Sequence, residues 1–469
     1  MAGIIAFGAY VPRYRISREV IARQWGLPSM GGERAVANYD EDSLTMAAEA
    51  GLTCLAGRPT QDIGGLYFAT TSSPYREKQG ATTIATIADL SREIRTADFT
   101  DTLRAGTTAM IAALDTIGSG SAQKVLVTAG DCRMGEPDSP EEQLFGDGAG
   151  AVLLGKESGI AEVLGTYTLM DEFTGAWRTE DRHFIQVFPS GFDVKYGYNR
   201  VMGEVLPAVY KKFGISPKEI TKAVIYAPNP RALTGLAKQA GFDPKSQLQD
   251  TLFGQVGDTG AAAPLMMLAA TLEEARPGDK ILLVSYGEGS DALLFQVTPA
   301  IEQYKVQRSI KAQIATKRDI GSYGKYARFR NLAVKETTCG EVSTPVAYFR
   351  DWKQLLPLYG ERCNQCGTLQ YPKERVCYEC GSKDDFADVK LAHTGKVFTY
   401  THDYLFAGPD LPYTQSVIEL NDGCRIYLAM TDSDEKEVAI DLPVELTCRR
   451  LHDGYGFHNY YWKVRPIKG

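Results

Sequence analysis

With 469 residues, 44% hydrophobic and 23% charged, the chain has the size and balance of a soluble globular protein of two to three domains. Its net charge of −7 excludes the basic surface of a nucleic-acid binder, and no apolar run approaches the roughly 20 residues that span a bilayer. Nine cysteines, an odd number with four in a metal spacing, point to a reducing cytoplasm.

The N-terminal stretch lacks a basic segment ahead of its short apolar run, so GIIAFGAYVP (3–12) reads as a first buried strand, not a signal peptide. The helix-like ISREVIARQWG follows, and ANYDEDSLTMAAEAGLTCLAG (37–57) starts acidic and becomes an Ala-rich helix, as the helix dipole prefers. GGLYFATTSSP (64–74) is a strand entering a polar turn. ADFTDTLRAGTTAMIAAL (97–114) predicts an extended segment, a tight turn and a helix small on every face, which means burial against other backbone. The first N–H groups of such a helix make its start a place to hold an anion or a reacting group.

The strand KVLVTAG (124–130), the loop GDCRMG and the Gly-rich turn and strand LFGDGAGAVLLG (144–155) come next. Residues 159–190 read as antiparallel strands with aromatics. VMGEVLPAVYKKFGI (201–215) is a helix, AVIYAPNP (223–230) a strand into a Pro-Asn-Pro turn, and RALTGLAKQAGF a further helix. GAAAPLMMLAATLEEA from Gly260, Pro277-Gly278 and the strand KILLVSYG (280–287) then repeat the order of the 97–130 region about 155 residues later, the mark of a duplicated unit. SDALLFQV (290–297) closes a layered α/β architecture. Residues 301–335 read as its helical edge, and 336–358 as a linker with a short amphipathic helix. After residue 384, five or six short strands between Gly, Asp and Pro turns suggest a small barrel.

Between the linker and the barrel, Cys363 and Cys366 in CNQCG and Cys377 and Cys380 in CYECG each put two thiolates on one knuckle, with Gly367 and Gly381 closing the turns. Four thiolates favour a closed, structural zinc, one per chain, folding a ribbon over 359–383 too short to bury a core of its own. Two disulfides, four free thiols and a rubredoxin-like iron centre are the alternatives.

GAYVPRYRI, NYDEDSLTMAAEA, the 97–114 stretch, AVIYAPNP and LLVSYGEGSDA together resemble the 3-hydroxy-3-methylglutaryl-CoA synthase branch of the thiolase superfamily, and FGDGAGAVLLG is similar to the turn of ketoacyl-ACP synthase III. The resemblance covers residues 1–335 and implies the duplicated αβαβα thiolase fold, an acyl-CoA substrate and a homodimer. Residues 345–469 resemble the zinc-ribbon and OB-fold module, here at 359–383 and 384–469, that accompanies thiolase-like enzymes and is associated with acyl-CoA.

The departures bear on mechanism. The family carries its acyl group on a Cys assisted by a His and a Glu; laid motif on motif, those positions are Leu103, Tyr226 and Thr71. Residues 1–335 hold a single histidine, His183, and only Cys54 and Cys132 as thiols. The loops that face the pocket in relatives carry Tyr226, Asp258, Tyr286 and Glu288. Tyr226, Asp258 and Glu288 are the candidate catalytic groups, since a buried Tyr beside a carboxylate moves a proton and desolvation raises a carboxyl pKa. N–H groups near Gly106 or Gly287 are candidates to hold a thioester enolate. Arg231, just past the Pro-Asn-Pro turn, is the candidate CoA contact. This is equipment for forming or cleaving a C–C bond beta to a CoA thioester without a Cys nucleophile, as an aldolase does, a lyase or transferase chemistry. Two other readings compete: a non-catalytic acyl-CoA-binding subunit whose Cys-bearing thiolase partner does the chemistry, and a synthase with a displaced nucleophile such as Cys132.

Overall fold

The computed structural model describes residues 2–188, 191–333, 344–406, 408–454 and 456–467. The chain divides into two compact units, one of residues 1–38, 42–85 and 90–326, the other of 39–41, 86–89 and 327–469. The expected boundary at 335–336 lies outside the described residues.

The first unit is built on a nine-stranded sheet: β1 (Gly3–Tyr10), β2 (Ile63–Ala69), β3 (Arg95–Phe99), β4 (Lys124–Cys132), β5 (Asp147–Gly155), β6 (Ala161–Met170), β7 (Lys222–Ile225), β8 (Lys280–Val284) and β9 (Gly289–Val297), in the order β7-β8-β9-β6-β1-β5-β4-β2-β3. Only two residue pairs, Gly3–Glu162 and Ile4–Ala161, join β1 to β6, so the sheet is two half-sheets meeting at a seam. The halves have matching topology. β3-β2-β4 run parallel and then turn antiparallel through β5 and β1; β7-β8 run parallel and then turn antiparallel through β9 and β6. A parallel bridge between Ala223 and Leu248 stands where the second half would carry the counterpart of β3.

Helix α1 (Ser43–Leu55) packs on β1, β4 and β5, its start fixed by a reciprocal cap between Asp42 and Thr45. The duplicated helices α2 (Ala105–Gly118) and α5 (Ala263–Glu274) form the buried middle layer. Their small residues serve backbone contact: a Cβ on Gly106 would lie 2.6 Å from the Ala261 carbonyl oxygen. Helices α3 (Asn199–Phe213) and α4 (Pro230–Ala240) pack against each other, and α3 also against β6 and β9, giving the αβαβα order that the sequence predicts. Short helices at 310–315 and 323–329 follow, the first tied to β1 by Gln313, which accepts from Val11 N–H and donates to the Ala9 carbonyl.

The 159–190 region differs from expectation. Among its described residues only β6 is a long strand, beside a two-residue pairing of Ala176–Trp177 with Gln186–Val187. Its aromatics meet one another and the next segment at tilted angles, Trp177 against Phe188 and Phe188 against Phe192.

In the second unit helix α6 (Pro345–Leu355) falls in the predicted linker. β10 (Tyr359–Cys363), β11 (Leu369–Gln370) and β12 (Phe386–Lys390) form the ribbon in the order β11-β10-β12. β13 (Thr394–Asp403), β14 (Tyr413–Leu420), β15 (Arg425–Ala429), β16 (Pro443–Gly454) and β17 (Phe457–Pro466) follow in the order β15-β14-β13-β16-β17. A bridge from Met430 to Val464 joins the last strand to the end of β15 and closes an OB-type barrel. Strict alternation along β14 sends Ile418 and Leu420 inside, as a period of two requires.

Candidate functional site

The site grows from the carboxyl end of β4. Alternation puts Asp131 and Arg133 on the same side of the chain and Cys132 on the other. Asp131 is fully buried and receives five hydrogen bonds: from the hydroxyls of Thr70, Thr71 and Ser72 at 2.9, 3.0 and 2.7 Å, and from the N–H groups of Thr71 and Ala261 at 2.8 Å each. So many donors satisfy a carboxylate without a cation beside it. Arg133, 4% exposed, donates to Asp258 Oδ2 at 2.9 Å and lies over the Phe145 ring at 4.1 Å.

Two glycine turns bring Asp258 there. Gly146 N–H donates to the Asp258 carbonyl at 2.9 Å and Asp258 N–H to that of Leu144 at 3.0 Å. The backbones touch so closely that a Cβ on Gly146 would fall 1.9 Å from the Val256 oxygen. Gly260, at φ +56°, then turns the chain where a Cβ would meet Asp131 Oδ2 at 2.4 Å and Arg133 Cδ at 2.6 Å.

Tyr226, at the end of β7, is 3% exposed, and its hydroxyl donates to the Asp258 carboxylate, 3.1 and 3.2 Å from its two oxygens. Gly260 N–H is a further donor to the same group. Burial, then the Asp258 charge, push the Tyr226 pKa well above its usual value. Tyr226 therefore keeps its proton at neutral pH. It can donate a proton or pass one along to Asp258, but it is not a resting phenolate base.

Tyr226, Asp258 and Arg133 line a cavity of about 870 Å³, as do Leu103 and Tyr286. Arg231 lines it too and is exposed, as a group reaching for a charged ligand would be. Asn229 caps α4 by accepting from Ala232 N–H, so the Pro-Asn-Pro turn is the start of a helix.

The structure brings together Tyr226 and Asp258 but not Glu288. Glu288 is exposed at φ 42°, accepts from the Thr102 hydroxyl, and through its carbonyl from Asp171 N–H. Its carboxylate latches the β8–β9 turn to the loop before α2, a structural reason for a charge in a glycine-flanked turn. Three of the expected enolate-binding N–H groups near Gly106 and Gly287 are engaged within the chain. Gly287 N–H donates to the Gly289 carbonyl, and the N–H groups of Arg104 and Ala105 go to Thr102. Cys132 is half-buried and is not among the cavity-lining residues; Cys54 is buried in α1, its pKa pushed up to about 12 by burial. His183 is exposed against Phe184. Asp131 and Arg133 are the site residues that sequence reasoning missed. Two charges at alternate positions immediately after the apolar strand KVLVTAG were the available signal.

In the ribbon, the four Sγ atoms of Cys363, Cys366, Cys377 and Cys380 lie within 4.8 Å of one another, at 3.7 Å for Cys363–Cys380 and 3.5 Å for Cys366–Cys377. These separations exclude disulfides and match the ~3.8 Å edge of a thiolate tetrahedron around zinc. Gly367 and Gly381, at φ +78° and +73°, turn their N–H groups back to the Cys363 and Cys377 carbonyls. The donor set fits zinc and leaves no open position, so the metal would hold the ribbon together and take no part in chemistry.

Comparison with known proteins agrees with this architecture. The model of 3-oxoacyl-[acyl-carrier-protein] synthase III matches residues 97–170, that of its C-terminal domain residues 210–295, and that of the ChsH2 rubredoxin-like zinc ribbon domain residues 358–385. The hydroxymethylglutaryl-CoA synthase of Methanopyrus kandleri is 31% identical over 339 residues, 70% of this chain and 97% of its own. That of Pyrococcus furiosus is 32% identical over 335 residues, 70% of this chain and 95% of its own. Among solved structures, an HMG-CoA synthase complexed with CoA superposes with a TM-score of 0.64 at 20% identity, covering 73% of this chain and 94% of its own. The 3-oxoacyl-[acyl-carrier-protein] synthase III of Aquifex aeolicus gives 0.56 at 22% identity, covering 63% of this chain and all of its own. With its duplicated sheet, buried helix pair and these relatives, the chain belongs to the hydroxymethylglutaryl-CoA synthase family of thiolase-like proteins, followed by a zinc ribbon and an OB-type barrel.

Proposed function

We propose that this acyl-CoA-processing protein forms or cleaves a C–C bond beta to a CoA thioester without a Cys nucleophile. The observation that carries the reading is the Tyr226 hydroxyl on the Asp258 carboxylate in the lining of a cavity that Leu103 also lines. In the cleavage direction the β-hydroxyl of a 3-hydroxyacyl-CoA passes its proton to the Tyr226 oxygen as Tyr226 passes its own to Asp258. The Cα–Cβ electron pair moves to the thioester, the β-carbon becomes a carbonyl, and the enolate takes a proton at Cα when the relay runs back. Arg133 holds Asp258 in place and tempers its charge. Arg231 contacts the CoA phosphates. Glu288 positions the loop that carries Leu103.

The same reading includes a homodimer, one structural zinc per chain and a cytoplasmic setting. A second reading, an acyl-CoA-binding subunit serving a Cys-bearing thiolase, draws its support from the motif resemblance that lays the family's nucleophile position on Leu103. One experiment separates the two: purified chain is incubated with 3-hydroxyacyl-CoA esters and the products are resolved by mass spectrometry. Equimolar shorter acyl-CoA and free carbonyl product from the chain alone support the enzyme. Cleavage that requires an added thiolase, with stoichiometric complex in native mass spectrometry, supports the subunit.

A further inference from the structure

The cavity also carries information about the acyl group, resting on the reading of Tyr226 and Asp258 as its reacting groups. A cavity of about 870 Å³ stands near the upper end of the ~300–1,000 Å³ range of small-molecule pockets, which leaves room beside the pantetheine arm of a CoA thioester for an acyl group of several carbons.

The lining mixes polar and apolar groups. Asn229 and Arg231 offer polar groups suited to the amide-bearing, phosphate-terminated arm. The loop carrying Leu27, Pro28 and Met30 and the segment carrying Val187 and Phe188 offer carbon surface. Amides buried there would lose their hydrogen bonds to water, so this surface suits the acyl group. Phe188 lines the cavity while 43% exposed, and its other contacts are rings: Trp177 at 5.2 Å and Phe192 at 5.6 Å between centroids, with Phe192 continuing to Tyr196 at 5.1 Å. All three pairs are tilted, at 51°, 59° and 45° between ring planes, and a further ring entering the cavity would add to this cluster.

Charge narrows the class further. Arg133 is bonded to Asp258, so the reacting groups present a neutralised pair, and Glu141 and Asp193 also line the cavity. An acyl group ending in a carboxylate would face these anions while the buried cation is already engaged.

We infer that the pocket takes an aryl-bearing, uncharged 3-hydroxyacyl group, its ring against Phe188 and its β-oxygen toward Tyr226. The test uses the full zinc-loaded chain and isothermal titration with three probes: 3-hydroxy-3-phenylpropanoyl-CoA, 3-hydroxybutanoyl-CoA and 3-hydroxyglutaryl-CoA. The phenyl ester is expected to bind at least about tenfold more tightly than the other two. Phe188→Ala should shrink that advantage several-fold and Phe188→Leu should restore only part of it. Equal affinities, or a tighter butanoyl or carboxylate ester, overturn the assignment even if every ester is cleaved. A tenfold phenyl preference without cleavage of any ester upholds the pocket assignment and removes the C–C chemistry, so the two claims fail separately.

Discussion

Replacing Tyr226 by Phe removes one oxygen and leaves the ring in place. In the folded chain that oxygen is the third donor to Asp258, beside Arg133 at 2.9 Å and Gly260 N–H at 2.9 Å. A hydrogen bond to a charged group contributes about 1.5–3 kcal/mol, and the two remaining donors place this loss at the lower end, about 1.5 kcal/mol. A unit of this size should then melt about 2 °C lower. The effect on turnover is expected to be much larger. A positioned acid–base group contributes about 10²–10⁴ in rate, or roughly 2.7–5.4 kcal/mol of barrier. CoA-ester affinity should stay within about twofold, because the hydroxyl serves proton movement and not ground-state binding. The assay is kcat for 3-hydroxyacyl-CoA cleavage beside titration calorimetry and a thermal melt on the same preparation. A variant that turns over at close to the parental rate, with the melt shifted as expected, would refute the role given to Tyr226 and leave it a structural tyrosine.

Three further predictions concern separate parts of the molecule. Burial pushes the Glu273 carboxyl from 4.5 up to about 7, with the Ile310 N–H bond at 2.8 Å opposing the rise. Between those values the folded chain binds more protons than the unfolded one, so this group's contribution is complete below pH 4.5 and is lost as pH rises through about 7; at about 1.4 kcal/mol per pH unit the loss sums to roughly 3 kcal/mol at most. Glu273→Gln should flatten that slope in urea titrations at pH 5 and pH 8; an unchanged slope would show another group responsible. Gly260→Ala should cost at least about 2 kcal/mol and most of the activity, because its Cβ would fall 2.4 Å from Asp131 Oδ2 at a φ of +56°. Elemental analysis should find one zinc per chain, absent in Cys377→Ser, which should also lose the protease resistance of residues 359–390; a protected ribbon without metal would contradict this.

What was legible in the sequence was local. The knuckles, the strands of alternating burial and the small-residue helices all follow from neighbours within one turn or one strand. Tyr226 and Asp258 were found because the family resemblance lays its His position on the first and turns the loop of the second toward the pocket. Arg133 was not, because its significance lies in Asp258, far away in the chain and brought close by two glycine turns whose backbones touch. Glu288 was assigned to the pocket because a glycine turn alone does not demand a carboxylate. Its reason is the Thr102 hydroxyl on a different loop, a contact no spacing reveals. The 159–190 aromatics misled in the same manner: their period suits strands, yet they pack as a ring cluster beside the cavity.

The central claim is that the C–C bond changes with no acyl group attached to the chain. Intact-protein mass spectrometry under acid quench, during turnover of a 3-hydroxyacyl-CoA, tests it most directly. The account predicts an unmodified protein mass while acyl-CoA and carbonyl products accumulate. A stoichiometric acyl adduct on the chain, at Cys132 or anywhere else, would contradict it.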